Sequence, residues 1–428
     1  MRELVLILNK DNIQVTFCLP STFKMEEDLI KFNIITLDGL PFGLGFEREL
    51  VISEGSRNSY LDNLIARITR RIIIDRKTKL NTIVSNLKPD LILIDSYISS
   101  DFILLNEYCR VNRVRVAFIQ TMPSLRRCNQ IPITSSRQPD KYLINKWEWL
   151  KYYVNIIIYK LTSKLVYLGN DNISQVLSEF KRASVNLKYS IKYVDRLQIV
   201  YNSIREFILI QSEFDFNEYP DQDQRYLGMK VDLTRQESEK QIELIDQFIN
   251  NQIIGNKTIY ISFGSLKSNK DRLLTSNLID EIICIAERRN DLNFIVAGCM
   301  YVNVRPLPNI LLIDQAPQLH VLRKSSIFIS HGGLNSIKEA IMCGVPIISI
   351  PLTKGLDHSG NSSRIVNSGV GLVLNIKRTS LNQLEIMIDS LISKPYFKMN
   401  LLKFSERERV VYQQINILSE FNKLDYII

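Results

Sequence analysis

The residues best suited to chemistry form one string, Ser330-His331-Gly332-Gly333-Leu334-Asn335-Ser336, followed three positions later by Glu339. The string comes directly after an apolar run, Ile327-Phe328-Ile329. Glycines let a backbone pass close to a bulky anion. A helix starting near Asn335 would turn its free N–H groups and the positive end of its dipole toward the same anion. His331 adds a ring donor. The carboxylate of Glu339, one helical turn in from Ser336, can accept from hydroxyls. A second string of this kind, Ile261-Ser262-Phe263-Gly264-Ser265, also ends an apolar run. Together these residues read as a cradle for a phosphorylated, hydroxyl-rich ligand. Singly they have plainer readings. Ser336-x-x-Glu339 is also a capping box, and Gly332-Gly333 suffices for a tight strand-to-helix turn.

The elements that must position these residues are legible as alternating runs. Strands are expected at 13–19, 91–95 and 115–119, with a helix at 101–111. The burst Leu91-Ile-Leu-Ile-Asp95 has the pattern of a parallel strand buried on both faces. Residues 146–210 are long, basic and aromatic, without clear strand signals, and the polar stretch 211–235 with Pro220 reads as a linker. A second series follows. Strands are expected at 258–263, 293–297, 310–313, 327–330 and 346–350, and helices at 271–289, 335–343, 380–394 and 398–422. Strands that alternate with helices imply open parallel sheets. A chain of 428 residues suits two such domains. In open parallel sheets, ligands bind beyond the carboxyl ends of strands, where both glycine strings lie.

Taken as a whole, the pattern is more specific than its parts. His331-Gly332-Gly333-x-Asn335-Ser336-x-x-Glu339 is followed by Gly344-Val345-Pro346, Pro351, Asp357-His358-x-x-Asn361 and Gly369-Val370-Gly371. This order and spacing resembles the signature of the UDP-glycosyltransferases, the family-one inverting enzymes of GT-B fold. Ala316-Pro317-Gln318-x-x-Val321-Leu322 resembles the segment that precedes it in that family. The resemblance covers about 258–375, extends more loosely over 1–125 and touches little of 126–225. It implies two Rossmann-like doubly wound domains facing across a cleft: an acceptor domain at 1–225, incomplete at its start, and a donor domain at 226–400. The C-terminal helix at 401–428 would pack back on the first domain.

The resemblance also implies roles. Gly264 and Ser265 would lie near the donor phosphates. His331 would contact the diphosphate, with Gly333, Asn335 and Ser336 as further donors. Glu339 would hold the ribose, Gln315 and Gln318 would border the uracil, and Asp357, with His358 beside it, would hold sugar hydroxyls. Plant members usually carry Trp where this chain has Gln315, and many members carry Asp-Gln where it has Asp357-His358. Family enzymes use a His to deprotonate the acceptor hydroxyl and an Asp to orient that His. The Asp falls on Asp95, whose plainer reading is a helix or turn cap. The His has no counterpart, because His320, His331 and His358 all lie in the second half and Met1 aligns inside the family's first helix. Either the natural start lies upstream, or the chain is a decayed or repurposed relative. For a chain beginning at Met1, transfer is expected to be severely reduced while donor binding survives.

The implied function is transfer of a hexose, expected to be glucose, from a UDP-sugar to a hydroxyl of a small apolar acceptor with inversion. A non-catalytic nucleotide-sugar binder and a nucleotide-sugar epimerase of the same fold are the alternatives. Composition narrows the partners. With three histidines and no C-x-x-C among the six cysteines, a zinc site is not expected. Asp221-Gln222-Asp223 has metal-binding spacing, but it sits in the polar linker and reads as a solvated loop, so no metal is required. Scattered cysteines and the lack of an apolar run of membrane-spanning length point to the cytoplasm. The net charge of +9 is uneven, with eight Lys/Arg against three acids over 146–193. No nucleic-acid motif accompanies it. The stretch 146–165 has three readings: an amphipathic helix touching an anionic membrane, the wall of an acceptor pocket, or a packed helix with a basic solvent face.

Overall fold

A computed structural model of the chain describes residues 13–20, 33–37, 57–126, 130–139, 142–195, 198–217, 220–264, 269–298, 307–352, 357–375 and 381–428, together with Leu4 and Leu8. The first half opens with strands β1 (Thr16–Pro20) and β2 (Asn33–Leu37), and helices α1 (Arg57–Ile68) and α2 (Arg71–Leu87). Strand β3 (Leu91–Asp95), helix α3 (Asp101–Val111) and strand β4 (Arg115–Gln120) follow. Helices α4 (Tyr142–Val166) and α5 (Asn172–Arg182) lead to the short strands β5 (Ile191–Val194), β6 (Ile199–Tyr201), β7 (Glu206–Ile208) and β8 (Gln224–Tyr226). The second half runs α6 (Glu239–Asn250), β9 (Lys257–Ser262), α7 (Asn269–Arg288), β10 (Leu292–Ala297), β11 (Ile310–Ile313) and α8 (Gln318–Lys324). It continues through β12 (Ile327–Ser330), α9 (Leu334–Met342), β13 (Ile347–Ser349), α10 (His358–Asn367) and β14 (Gly371–Val373). Helices α11 (Leu381–Ser393), α12 (Pro395–Arg407) and α13 (Ile417–Asn422) close the chain.

The second half forms one parallel sheet in the order β11-β10-β9-β12-β13-β14. Its strands are apolar because both faces are covered, and β10 and β12 are buried along their whole length. Ile282 and Ile388, from α7 and α11, pack into the core on one face, and Val321, Ile337 and Leu401, from α8, α9 and α12, into the other. The chain reverses its direction of travel across the sheet between β9 and β12. The carboxyl ends of those two strands therefore flank a crevice, the general ligand position of such sheets.

The first half differs from expectation. Strands β3-β4-β7-β8 form one parallel sheet, and among the described residues β1 and β2 form a parallel pair of their own. Both β1 and β3 border a cleft of about 1720 Å³ that extends to Asn335 and Glu339 of α9. Strand β3, expected to be buried on both faces, has only Ile94 buried. It is an edge strand, paired among the described residues with β4 alone, and its other side borders the cleft. The region 146–210, read as lacking clear strand signals, holds three strands of only three or four residues, too short for their brief apolar runs to stand out. Gln224–Tyr226, inside the stretch read as linker, is a strand. Its buried Gln224 is satisfied by polar partners, donating to Ser124 Oγ at 2.8 Å and accepting from Asn217 at 2.9 Å. Asp221 and Asp223 are not simply solvated, since Asp221 pairs with Arg126 at 3.1 Å and Lys192 at 2.8 Å, and Asp223 with Arg126 at 3.8 Å.

The halves meet through α10. A Cβ on Gly360 would lie 1.6 Å from the carbonyl oxygen of Ile133, so only glycine allows this approach. One turn on, Arg364 and Asp215 form an ion pair of 2.6 Å with both side chains 0% exposed, and the guanidinium also stacks 4.5 Å from the Phe216 ring centroid. At the C-terminus, Phe421 packs on Phe207 with centroids 5.1 Å apart, and Ile427 joins the core of the first half. Removing one member of a buried pair leaves an uncompensated charge. Arg364→Met is therefore expected to lower unfolding stability by about 3–5 kcal/mol, read as a drop in the urea midpoint. A midpoint equal to that of the unaltered chain would deny the pair this role.

Candidate functional site

The crevice between β9 and β12 holds His331. Its imidazole is flanked by two glycines. A Cβ on Gly264 would lie 2.6 Å from Cε1 and one on Gly333 would lie 2.7 Å from Nε2. Gly264 also has a φ of +73°, which L side chains avoid. Between them Gly332, at φ +93°, lets the backbone of α10 come close, with the His358 carbonyl 2.9 Å from where a Cβ would stand. The His331 and His358 rings meet edge to face, 4.8 Å apart. Ser265 lies outside the described residues.

Helix α9 starts at Leu334 with Gly333 as its N-cap, and no side chain caps it. This corrects the capping-box reading, because Ser336 sits inside the first turn. Glu339 is buried, and its carboxylate accepts from Gln318 Nε2 at 2.6 Å and from Arg235 Nη2 at 3.1 Å. Gln318 also donates to Ser336 Oγ at 3.3 Å. Arg235 is held in turn by Glu237, whose two carboxylate oxygens accept the backbone N–H groups of Leu319 and His320 at 2.9 Å. Arg235 and Glu237 are site residues that sequence reading missed. They lie 82 to 104 residues before the partners they hold and in no local pattern. Asn335 is exposed on the cleft, and Gln315 is exposed in the bend after β11.

Asn361 ties the second half of the signature to the first. Fully buried, it donates to Asp357 Oδ2 and to the Gly332 carbonyl, each at 2.9 Å. Burial raises Asp357 above the usual carboxylate range, against the hydrogen bond from Asn361. Across the cleft, Asp95 Oδ1 accepts the N–H of Tyr97 at 2.9 Å and so caps the turn after β3, and Oδ2 accepts from Thr121 at 3.4 Å. Burial raises Asp95 as well. Tyr97 feels both carboxylates. Burial, then the charges of Asp357 and Asp95, push its phenol up, which keeps it protonated. The structure thus groups Gly264, His331, Gly333 and His358 in one cluster and Gln318, Ser336 and Glu339 in another. Asp95 and Asp357 come together around Tyr97.

The profile of the family described as UDP-glucoronosyl and UDP-glucosyl transferase matches residues 115–410, well over half of the chain. The chain belongs to this family. Human 2-hydroxyacylsphingosine 1-beta-galactosyltransferase is 38% identical over 100 residues, 23% of this chain and 18% of that protein. A Bacillus subtilis protein described as an uncharacterized UDP-glucosyltransferase, YdhE, is 23% identical over 180 residues, 40% of this chain and 43% of its own length. The chain thus spans under half the length of these curated relatives. Among solved structures, the glycotransferase of kitacinnamycin superimposes with a TM-score of 0.67 at 14% identity, covering 98% of this chain and 94% of that one. LpCGTa in complex with UDP does so at 0.60 and 13%, covering 98% and 93%. The family member described here accordingly has the GT-B fold.

Lys338, the neighbour of Glu339, couples the site to the first half. It is buried, donates to the Leu209 carbonyl at 3.1 Å, and is pushed down to about 8 by burial, against the nearby charges of Glu339 and Glu408. An unfolded chain keeps that proton to about pH 10.4. Between the two values the unfolded state binds more protons, so this residue makes stability rise with pH. The urea midpoint is expected to climb from pH 8 to 10 relative to that of Lys338→Met. Parallel profiles for the two proteins would show that Lys338 has an ordinary pKa.

Proposed function

We propose that the chain binds a UDP-sugar in the crevice between β9 and β12 and transfers the hexose, glucose in the first instance, to a hydroxyl of a small apolar acceptor. The observation that carries this reading is the buried Glu339 carboxylate, held by Gln318 and Arg235 one turn beyond an uncapped helix start. In this reading the carboxylate accepts the ribose hydroxyls. The N–H groups at the start of α9, with the His331 imidazole fixed between Gly264 and Gly333, take the diphosphate. Gln315 and Gln318 border the base, and Asp357 and His358 face the sugar. The acceptor hydroxyl oxygen attacks the anomeric carbon in line and gives up its proton to water, the bond from that carbon to the β-phosphate oxygen breaks with inversion, and UDP leaves. The helix end and His331 stabilise its charge without a metal.

A second reading, binding without efficient transfer, rests on Asp95. That carboxylate caps a turn, and the phenol beside it stays protonated, so neither is a ready base. A missing general base lowers the rate by roughly 10²–10⁴-fold. UDP-glucose is therefore expected to bind, and UDP release with a hydrophobic alcohol acceptor is expected to be slow. Glu339→Ala should weaken UDP binding about tenfold or more in calorimetry. Equal affinity in that variant would move the ribose elsewhere. Interconversion of UDP-sugars without acceptor would replace transfer by epimerisation.

A further inference from the structure

Helix α4 is apolar on two opposite sides. At 100° per residue, Trp149, Tyr152, Ile156 and Ser163 share one side and face inward. Ile156 and Ser163 are buried, Trp149 donates to the Gln130 carbonyl at 3.1 Å, and Tyr152 donates to Asp195 at 2.6 Å. The opposite side carries Trp147, Leu150, Val154, Ile157, Leu161 and Leu165, which are 45–77% exposed. They fall within an arc of about 100°, with spacings of three and four. The exposed Lys146 and Lys164 lie along one margin of this stripe and Lys151 along the other. The helix has four lysines and one acid, Glu148, which accepts from Ser135 at 2.8 Å and Lys151 at 2.9 Å. At its far end Tyr60 of α1 donates to the Val166 carbonyl, and α1 adds Leu61, Ile65 and Ile68, each 53–55% exposed. The basic solvent face of the plainest sequence reading is therefore only the margin of an apolar one.

Scattered exposed apolar residues need no explanation, but a contiguous stripe does. A 25-residue helix is about 37 Å long, and no helix among the described residues is long and apolar enough to cross a membrane. An apolar stripe between lysine margins suits a helix lying in the plane of a bilayer surface. A second copy fits less well, since a two-fold contact sets the same patch against itself and opposes the lysine margins. We propose that α4 docks the protein on an anionic lipid bilayer, with the stripe in the interface and the lysines on headgroup phosphates.

The test is flotation of the full chain with phosphatidylcholine vesicles, with and without phosphatidylglycerol. Binding is expected only with the anionic lipid, weakened by salt. Ile157→Asp with Leu161→Asp should reduce it at least about tenfold, while thermal unfolding and UDP affinity stay unchanged because both positions are exposed. Lys146→Glu with Lys164→Glu should weaken binding in the same direction. Of the two tryptophans only Trp147 faces outward, so emission should shift to the blue on binding and lose that shift in Trp147→Phe. Failure to float with anionic vesicles, or equal binding by the aspartate variant, would overturn the proposal. So would a concentration-dependent dimer that the aspartate pair disperses.

Discussion

The structure turns on one ion pair without solvent. Arg364 and Asp215 are both fully buried, and neither charge is tolerable there without the other. Asp215 also accepts from Tyr226 at 2.8 Å, so strand β8 of the first half is tied into the same centre. Arg364 lies on α10, whose N-cap is Asp357 and whose first turn carries His358 and Asn361. The Asp357 end of the candidate site is thereby set by contacts with the other half as well as by its own sheet. Gly360, pressed against Ile133, and Ser363, donating to the Ser135 carbonyl at 3.2 Å, repeat the attachment along the helix.

Much of the second half could be read from residues alone, for a simple reason. Its central strands are buried on both faces and so are written as unbroken apolar runs, such as Ile259–Ile261 and Ile327–Ile329. The glycine strings lie after β9 and β12 because the backbone there must take positive φ and leave room for an imidazole. The first half is less legible. Strands β5 to β8 have three or four residues, and Gln224 is stabilised by hydrogen bonds that leave no apolar trace.

The candidate site shows the same division. Glu339 and Gln318 stand in a local pattern. Arg235 and Glu237, which hold them, come from a polar stretch with no pattern of its own, because a long side chain can be recruited from any nearby backbone. Ser336 and Glu339 have capping-box spacing, yet the helix begins two residues before Ser336 and frees both side chains for Gln318. Spacing alone suggests a cap, and the position of the first turn excludes it.

Among the described residues β1 and β2 pair only with each other, which also bears on how the molecule opens. A parallel ribbon of two strands has one ladder, whereas β9 is held by ladders on both sides. Segments with few shared contacts open as independent units at a fraction of the global free energy. Amide protons of Phe17–Leu19 should therefore exchange through a local event that leaves β9 and β12 protected. The wall of the cleft opposite β3 is joined to the rest of the first half by side chains, Leu37 in one core and Ile13 and Val15 against another, so the width of the cleft is set by packing where the backbone supplies no ladder.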